Sequence, residues 1–543
     1  MNVRELFDKL ARSDKRLVNG DRAGGEIVRV EYDSRRVSGD GIIFACVKGG
    51  NTDGHDHAAQ AVSRGAAALL CERELPIRVP QIITPKTRGT MGEAASVIYG
   101  KPSEKLKMTG VTGTNGKTTT AYITRSIIRA SGARAGMIGT VVYDDAAGES
   151  FAERTTPEGP DIQTLLSEIV KNGASHCVME ASSHGLDQGR LEGCGFDAAG
   201  FSNLTPEHLE YHNDMENYFM AKRRLFSDYA RGAWKGAVNA ADAFGARLLA
   251  EFRENAMPFS AGSARTRQGA GSPDPLRFFY FHPADENKKI NKGSRGSVPL
   301  RGAGRSPADS MYRIRVSREG LEGMTVALTY PDGSSFVADS PLVGRHNASN
   351  ILESAVLGDA LGFDGDTVKK GIENCPQVPG RLERYPMPNG VTVFVDFAHS
   401  EDGMEQALST LKALAPGPVR VLWGAGGDRT PLKRLIVGEI MARLADHVVI
   451  STDNPRNENP ADIARGVEEG VRRCARRVER DTILDRGEAI DFILNSARAG
   501  DVVLIAGKGP ERFIDYGTRR EPFVDGERVL EWARSHKSET ETR

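Results

Sequence analysis

Lys117 and Thr118 are the residues best placed by type and spacing to do chemistry. They end the glycine-punctuated part of MTGVTGTNGKTTT (108–120). Gly110, Gly113 and Gly116 mark a tight loop, and Ala121-Tyr122-Ile123 then open an apolar helix face. A strand that passes through such a loop into a helix aims backbone N–H groups and a helix N-terminus at one point, which suits a phosphate. Lys117 adds a positive charge for the β/γ-phosphates, and the Thr118 hydroxyl is a ligand for Mg²⁺. The standard phosphate loop has a glycine where Val111 stands, so the spacing is a variant. A ligand-free glycine turn is the competing interpretation. The position of GKTTT at a strand-to-helix junction weighs against it.

Three further groups could serve that loop. Glu180 ends the apolar stretch Cys177-Val178-Met179 and is followed by Ser182, Ser183 and His184. That places a carboxylate opposite the loop as an Mg²⁺ ligand, although a glutamate after a strand is ordinarily solvated. In NLTPEHLEYH, His208 and His212 lie one helical turn apart, the spacing of a zinc pair. Third and fourth ligands are missing nearby, so a hard cation shared with phosphate fits better. Tyr218 to Phe226 reads as an amphipathic helix on which Lys222, taken alone, is a solvated charge.

The elements that must position these groups follow from the rest of the chain. With 543 residues the soft expectation is three or four domains. Hydrophobic content of 39%, charged content of 27% and a net charge of −1 describe a soluble globular protein with no global attraction to nucleic acid or membrane. The six cysteines (46, 71, 177, 194, 375, 474) form no CxxC pair, which disfavours a zinc cluster or disulfide framework and fits a reducing compartment. The N-terminus lacks the apolar core of a signal peptide, and no apolar run is long enough to span a bilayer.

Residues 1–103 read as a first α/β unit, in which Ser34 and the 49–57 loop could hold a polar ligand and Lys101-Pro102-Ser103 is a linker. Residues 104–340 alternate strand and helix patterns in the rhythm of a parallel sheet with crossover helices. They include a basic Gly/Arg/Ser/Pro-rich stretch at 264–310, expected to be a mobile surface insertion, and then a hairpin over RIRVS and MTVALTY. A third unit, 341–543, opens with the helix of GRHNASNILESAVL. Four of its strands end in polar turns at Asp396, Asp428-Arg429, Asp453-Asn454-Pro455-Arg456 and Gly507 to Glu511. Strand ends that converge in this way build a ligand crevice.

In that order the chain carries GTNGKTT, MEASSHGLDQGR, NLTPEHLEYH, AKRRLF, GRHNASN, PGRLE, VDFAHS, GGDR, DNPR and GKGPE. The set resembles the Mur ligases of bacterial cell-wall synthesis, in particular those that add the third amino acid. The resemblance covers nearly the whole chain. It implies an α/β fold of three domains: an N-terminal uridine-nucleotide domain, a central P-loop-type ATPase domain and a C-terminal Rossmann-like domain. It implies ATP-driven addition of meso-2,6-diaminopimelate to UDP-N-acetylmuramoyl-L-alanyl-D-glutamate, by a cytoplasmic monomer that needs Mg²⁺ and binds neither nucleic acid nor membrane.

Residue by residue, the resemblance puts Gly113, Thr114, Asn115, Gly116, Lys117, Thr118 and Thr119 on ATP, with Asn347, Arg381 and Asp396 gripping it from the C-terminal domain. Ser34, the 53–57 loop, Thr155, Thr156, Ser182, Gln188 and Arg190 hold the UDP-sugar peptide. Thr118 and Glu180 ligate one Mg²⁺ and His208 a second. Lys222 matches a lysine that the family carboxylates, which inverts its charge into a metal ligand. Arg429, Asp453, Asn454, Pro455, Arg456, Gly507 and Glu511 form the amino-acid pocket. There Arg456 offers a fork to the distal carboxylate, while Glu511 or Asp453 pairs the ammonium.

The sequence departs from the family pattern at Phe397 (usually Tyr), Ser400-Glu401 (Thr-Pro), Leu435 (Pro) and Pro510 (His), and in the 264–310 stretch. Folylpolyglutamate synthase shares the loop style and the ligation logic, but DNPR and Asp33-Ser34-Arg35 argue against it. The intact Lys117, Glu180, His208, Lys222 and Arg456 argue against a nucleotide-binding module without activity.

Overall fold

The computed structural model describes residues 1–11, 13–22, 24–50, 52–261 and 311–540. The basic stretch expected at 264–310 lies outside them. Among the described residues no helix is long and apolar enough to cross a membrane.

Three sheets carry the architecture. The first has five strands in the order Arg16–Val18, Gln81–Ile83, Ala66–Cys71, Ile42–Ala45, Arg29–Glu31. Its inner strands, Ala66–Cys71 and Ile42–Ala45, are continuously apolar, with a buried cluster against each face of the sheet. The run at 101–103, expected to be a linker, joins the helix Thr87–Ile98 to the strand Lys107–Thr112 and is partly packed. It enters a short 3-10 turn, Pro102–Lys105, in which Pro102 and Ser103 are buried. The Ser103 hydroxyl donates to the Gly193 carbonyl at 3.2 Å.

The second sheet has eleven strands. At its centre Lys107–Thr112 lies between Phe196–Phe201 and His176–Glu180, all parallel. In register Glu180 stands beside Val111, so the acid and the start of the phosphate loop emerge from one sheet end. The expected hairpin is present, Tyr312–Gly320 pairing antiparallel with Gly323–Thr329. The apolar run MIGTVVY is two strands, Ala135–Ile138 and Val142–Asp144, which turn back on each other.

The third sheet runs Glu383–Pro386, Thr392–Asp396, Val502–Ala506, Val419–Trp423, His447–Ile450, Glu479–Thr482. All its neighbours are parallel except the first pair. The helix expected to open this last unit packs elsewhere. In His346–Ala360, the residues Ile351, Leu352, Ala355 and Val356 share one core with Val111, Ile123 and Ile127 of the phosphate-loop strand and helix. Gly365–Glu373 lies there too, with Gly371 so close to Ile127 that a Cβ would meet its backbone at 2.3 Å. Burying an apolar helix face against the nearest open sheet face is worth more than chain continuity with the next unit.

Candidate functional site

The phosphate loop forms as its spacing predicts. The strand ends at Thr112, and a helix, Lys117–Ala130, starts at the lysine. Gly113 and Gly116 are required there. Their φ values are +145° and +92°, and a Cβ would lie 1.9 Å from Ser202 Oγ at the first and 2.4 Å from Asn350 Oδ1 at the second. The Lys117 ammonium folds onto its own loop, donating to the carbonyls of Gly113 at 2.9 Å and Thr114 at 2.8 Å.

Glu180 is fully buried at the end of its strand. Its Oε2 accepts from the hydroxyls of Thr118 (2.9 Å) and Thr140 (3.0 Å), and its Oε1 from the Thr140 N–H (2.8 Å). A buried carboxylate held only by neutral donors is costly without a cation. This donor set therefore fits one Mg²⁺ ligated by Thr118 and Glu180.

The second ion's ligands are not assembled. Among the described residues no three His, Cys, Asp or Glu side chains stand close enough to share a metal. His208 is a half-exposed residue at φ +57°, its ring 4.8 Å from that of His184. His212 turns inward, its Nε2 3.0 Å from Ser183 Oγ. Both rings lie against His184, at 4.8 Å for His208 and 5.4 Å for His212, but the single short turn Leu209–His212, with His208 at its cap, leaves the first half-exposed and the second buried.

Lys222 corrects the reading of a solvated helix charge. It lies on the inner face of Met215–Ser227, 1% exposed. Its ammonium donates to the Gly113 carbonyl at 2.7 Å and sits 4.6 Å from the Tyr218 ring centre. Burial first, and then the charge of Lys117, push its pKa well below the ordinary lysine value. Burial likewise lowers that of Lys117.

The residues expected on the UDP-sugar peptide gather beside Glu180. Thr156 Oγ1 donates to the Glu180 carbonyl at 2.8 Å and accepts from the Ser182 N–H at 3.0 Å. Thr155 Oγ1 lies 3.0 Å from Thr140 Oγ1. Arg190 donates to the Thr156 carbonyl (2.8 Å) and, with Nη2, to Gln188 Oε1 (2.8 Å). Glu158 Oε1 collects Arg190, Arg154 and, from the first unit, Arg88. Ser34 is buried and donates to Gln60 Oε1 at 2.9 Å.

The ends of the parallel strands of the third sheet enclose a cavity of about 150 Å³. Arg429, Asp453, Asn454, Arg456, Gly507 and Glu511 line it, as the motifs led one to expect. Pro455 does not line it. Its carbonyl instead lies 1.9 Å from where a Cβ on Gly427 would be. Trp423, Lys433 and Arg434 also line the wall, and nothing in their local spacing announced it. Pro510, in place of the family histidine, lays its ring against Gly380.

Beneath the cavity Arg486, fully buried, donates to both Asp525 oxygens at 2.7 Å and to the carbonyls of Thr452 and Ala506 at 3.1 Å. It thus ties together the two strand ends that carry the wall. Arg486→Met leaves Asp525 buried and unpaired. The expected loss is about 3–5 kcal/mol of stability, read as a lower urea midpoint for the C-terminal unit.

One residue joins cavity and loop. The Arg381 guanidinium lies 5.2 Å from the ring centre of Phe397, a cavity residue, and its Nη2 reaches Thr118 Oγ1 at 3.5 Å. Asp396 sits behind it, accepting from the N–H groups of Leu382 (2.6 Å) and Ala398 (2.7 Å). Asn347, expected to approach from the C-terminal domain, instead sits on the helix that packs against the phosphate-loop helix. It is held there by Val343 and Asn350.

Three family models match the chain. One described as "Mur ligase family, catalytic domain" covers 26–99, "Mur ligase middle domain" covers 111–272, and "Mur ligase, glutamate ligase domain" covers 380–509. The UDP-N-acetylmuramoyl-L-alanyl-D-glutamate–2,6-diaminopimelate ligase of Geobacillus kaustophilus (strain HTA426) is 38% identical over 490 residues, 90% of this chain and 91% of that one. The chain belongs to the Mur ligase family.

The like-named ligase of Geobacter sulfurreducens (strain ATCC 51573 / DSM 12127 / PCA) is 35% identical over 98% of this Mur ligase and 99% of its own length. Among solved structures, a UDP-N-acetylmuramoyl-L-alanyl-D-glutamate–2,6-diaminopimelate ligase superposes with a TM-score of 0.61 at 29% identity, covering 94% of this chain and 95% of that one. A folylpolyglutamate synthase of Thermotoga maritima shares the fold alone. Its TM-score is 0.54 at 13% identity, over 77% of this chain and 89% of that one.

Proposed function

We propose that this chain is an ATP-dependent amide ligase that joins meso-2,6-diaminopimelate to UDP-N-acetylmuramoyl-L-alanyl-D-glutamate in the cytoplasm. The observation that carries the reading is Arg381, which spans from the cavity wall to the phosphate loop. It puts an amino-acid pocket within one side chain of a triphosphate cradle, the geometry that coupling of two substrates needs.

The substrate carboxylate attacks the γ-phosphate, giving an acyl phosphate and ADP. The amine of diaminopimelate then attacks the activated carbonyl, and phosphate leaves. Lys117 spreads charge on the transferring group. When bound, Mg²⁺ neutralises phosphate oxygens, and Thr118 and Glu180 would hold it. Arg190, Gln188, Ser182, Thr155 and Thr156 orient the sugar peptide, with Ser34 at its nucleotide end. Arg381, Asp396 and Asn347 hold ATP. The C-terminal unit excludes water from the acyl phosphate. Lys222, a depressed amine beside Lys117, supports N-carboxylation: its lone pair adds to CO₂, a proton leaves, and the carbamate supplies the anion that Lys117 lacks.

The units assigned are 1–103 for the UDP-sugar, a central ATP-binding unit from 104, and a C-terminal amino-acid unit ending at 543. The packing of 346–373 favours moving the last boundary from 341 to near 379. The assay is phosphate release from ATP with the UDP-muramoyl dipeptide and each candidate amino acid. Release that requires diaminopimelate is the expected result. Release that answers to lysine instead overturns the substrate, and none with any amino acid overturns the activity.

A further inference from the structure

Lys508 is a wholly buried lysine beneath the cavity wall, and the motifs pointed only to its neighbours. Its side chain is wholly buried in a part of the chain where every neighbour is a cavity residue or supports one. The ammonium donates to the Phe513 carbonyl at 2.5 Å, to Glu511 Oε2 at 3.1 Å and to Asn454 Oδ1 at 3.4 Å, and lies 3.7 Å from Asp453 Oδ1.

The consequence is an asymmetry in the two carboxylates. Glu511 Oε2 is taken twice, by Lys508 and by Asn454 Nδ2 at 2.7 Å. No partner among the described residues takes Glu511 Oε1. Asp453 Oδ1 is buried without a hydrogen-bond donor, its distance to Lys508 being just too long. Glu511 Oε1 is thus left for a donor from the cavity side, while Asp453 Oδ1 faces Lys508 at ion-pair distance behind the wall. The lysine behind them fixes the rotamer of one and offsets the repulsion between both. Without that cation behind it, buried Asp453 would take up a proton at higher pH and lose its hold on an ammonium.

Resting on the proposed amino-acid pocket, we infer that Lys508 is a positioning residue that sets specificity for a second, distal ammonium on the incoming amino acid. It does so by holding the Glu511 carboxylate in place through Oε2 and by placing a cation behind Asp453, so that the two act as a paired receptor. Lys508 itself touches no substrate.

Asp453 also faces Arg486, Glu511 and Asp525. Burial lifts its pKa to about 6, and the nearby Lys508 holds it from rising further. Binding of the ammonium therefore weakens as pH falls towards 6 in the parent protein. It weakens from a higher pH once Lys508 is neutral.

The experiment compares diaminopimelate with 2-aminopimelate, which keeps both carboxylates and the reacting amine but lacks the distal one. The readout is the ratio of their kcat/KM values, which cancels any fraction of misfolded enzyme. The parent ratio is expected at about 10²–10³, the worth of a buried paired charge. In Lys508→Met it falls to about 10 or below, with the KM for ATP and for the UDP-dipeptide within about twofold of the parent. Lys508→Gln, which retains a donor for Phe513, falls likewise. The double variant Lys508→Met/Glu511→Gln loses less relative to Glu511→Gln than Lys508→Met loses relative to the parent, because part of the lysine's effect runs through that carboxylate and the rest through Asp453.

A ratio unchanged in both Lys508 variants overturns the inference, as does a pH dependence of the diaminopimelate KM that neither variant moves. If the parent protein releases no phosphate with diaminopimelate at all, the proposed function fails first, and the two failures are told apart.

Discussion

Lys222→Ala abolishes most of the ligation activity, by about 10³-fold or more in kcat, and short carboxylates such as acetate or formate added to the assay restore part of it. The reason lies in where the side chain sits. Lys222 and Lys117 share one buried space, both bonded to the Gly113 carbonyl, and neither has a carboxylate within ion-pair distance among the described residues. Burial first, and then the neighbouring charge of Lys117, drive the pKa of Lys222 down. The free amine is the form that takes up CO₂. A carbamate there turns the repulsion into an attraction and provides an anion beside the loop. Removing it costs as much as removing a preorganised group at a developing charge, and more where a metal depends on it. Rescue by a small carboxylate distinguishes a missing anion from a collapsed helix. Activity equal to the parent's would remove the carbamate from the mechanism.

Arg456→Lys is the second large effect. Arg456 lines the cavity, with Nη1 donating to the Gly427 carbonyl at 2.6 Å and its own N–H to the Asp515 carbonyl at 2.9 Å. Its backbone stands at φ +51°, a strained position for a side-chain-bearing residue, which the surrounding hydrogen bonds hold in place. Lysine keeps the charge and the backbone requirement but loses the planar fork. The KM for diaminopimelate should rise about 10²- to 10⁴-fold, with that for ATP nearly unchanged. The preference for diaminopimelate over lysine should narrow by a similar factor, since lysine carries no distal carboxylate to lose. A parallel rise in the KM for ATP would mean that the substitution had disturbed the Arg381 bridge instead of the pocket.

The ordered motifs carried the family, the α/β class and the phosphate loop, and six of the seven residues they placed on the amino acid line one cavity. Each of these is a local matter. Glycines at positive φ, a lysine at a helix start and polar turns after apolar strands leave their mark within a few residues, and strand ends in a parallel sheet converge by construction.

What the residues alone could not fix was which way a charged side chain faces and which sheet a helix joins. Lys222 reads as solvated on its own helix, and only the packing of Met215–Ser227 against the loop buries it. His208 and His212 share a spacing, but only the fold shows that both rings meet His184, one half-exposed and one buried. The helix His346–Ala360 belongs by chain order to the last unit, yet its apolar face completes the core of the middle one. Arg486 and Arg381 acquire their meaning from distant partners, Ala506 20 positions away for the first and Thr118 263 positions away for the second. Burial and long-range pairing are properties of the assembled layers, and no window along the chain contains them.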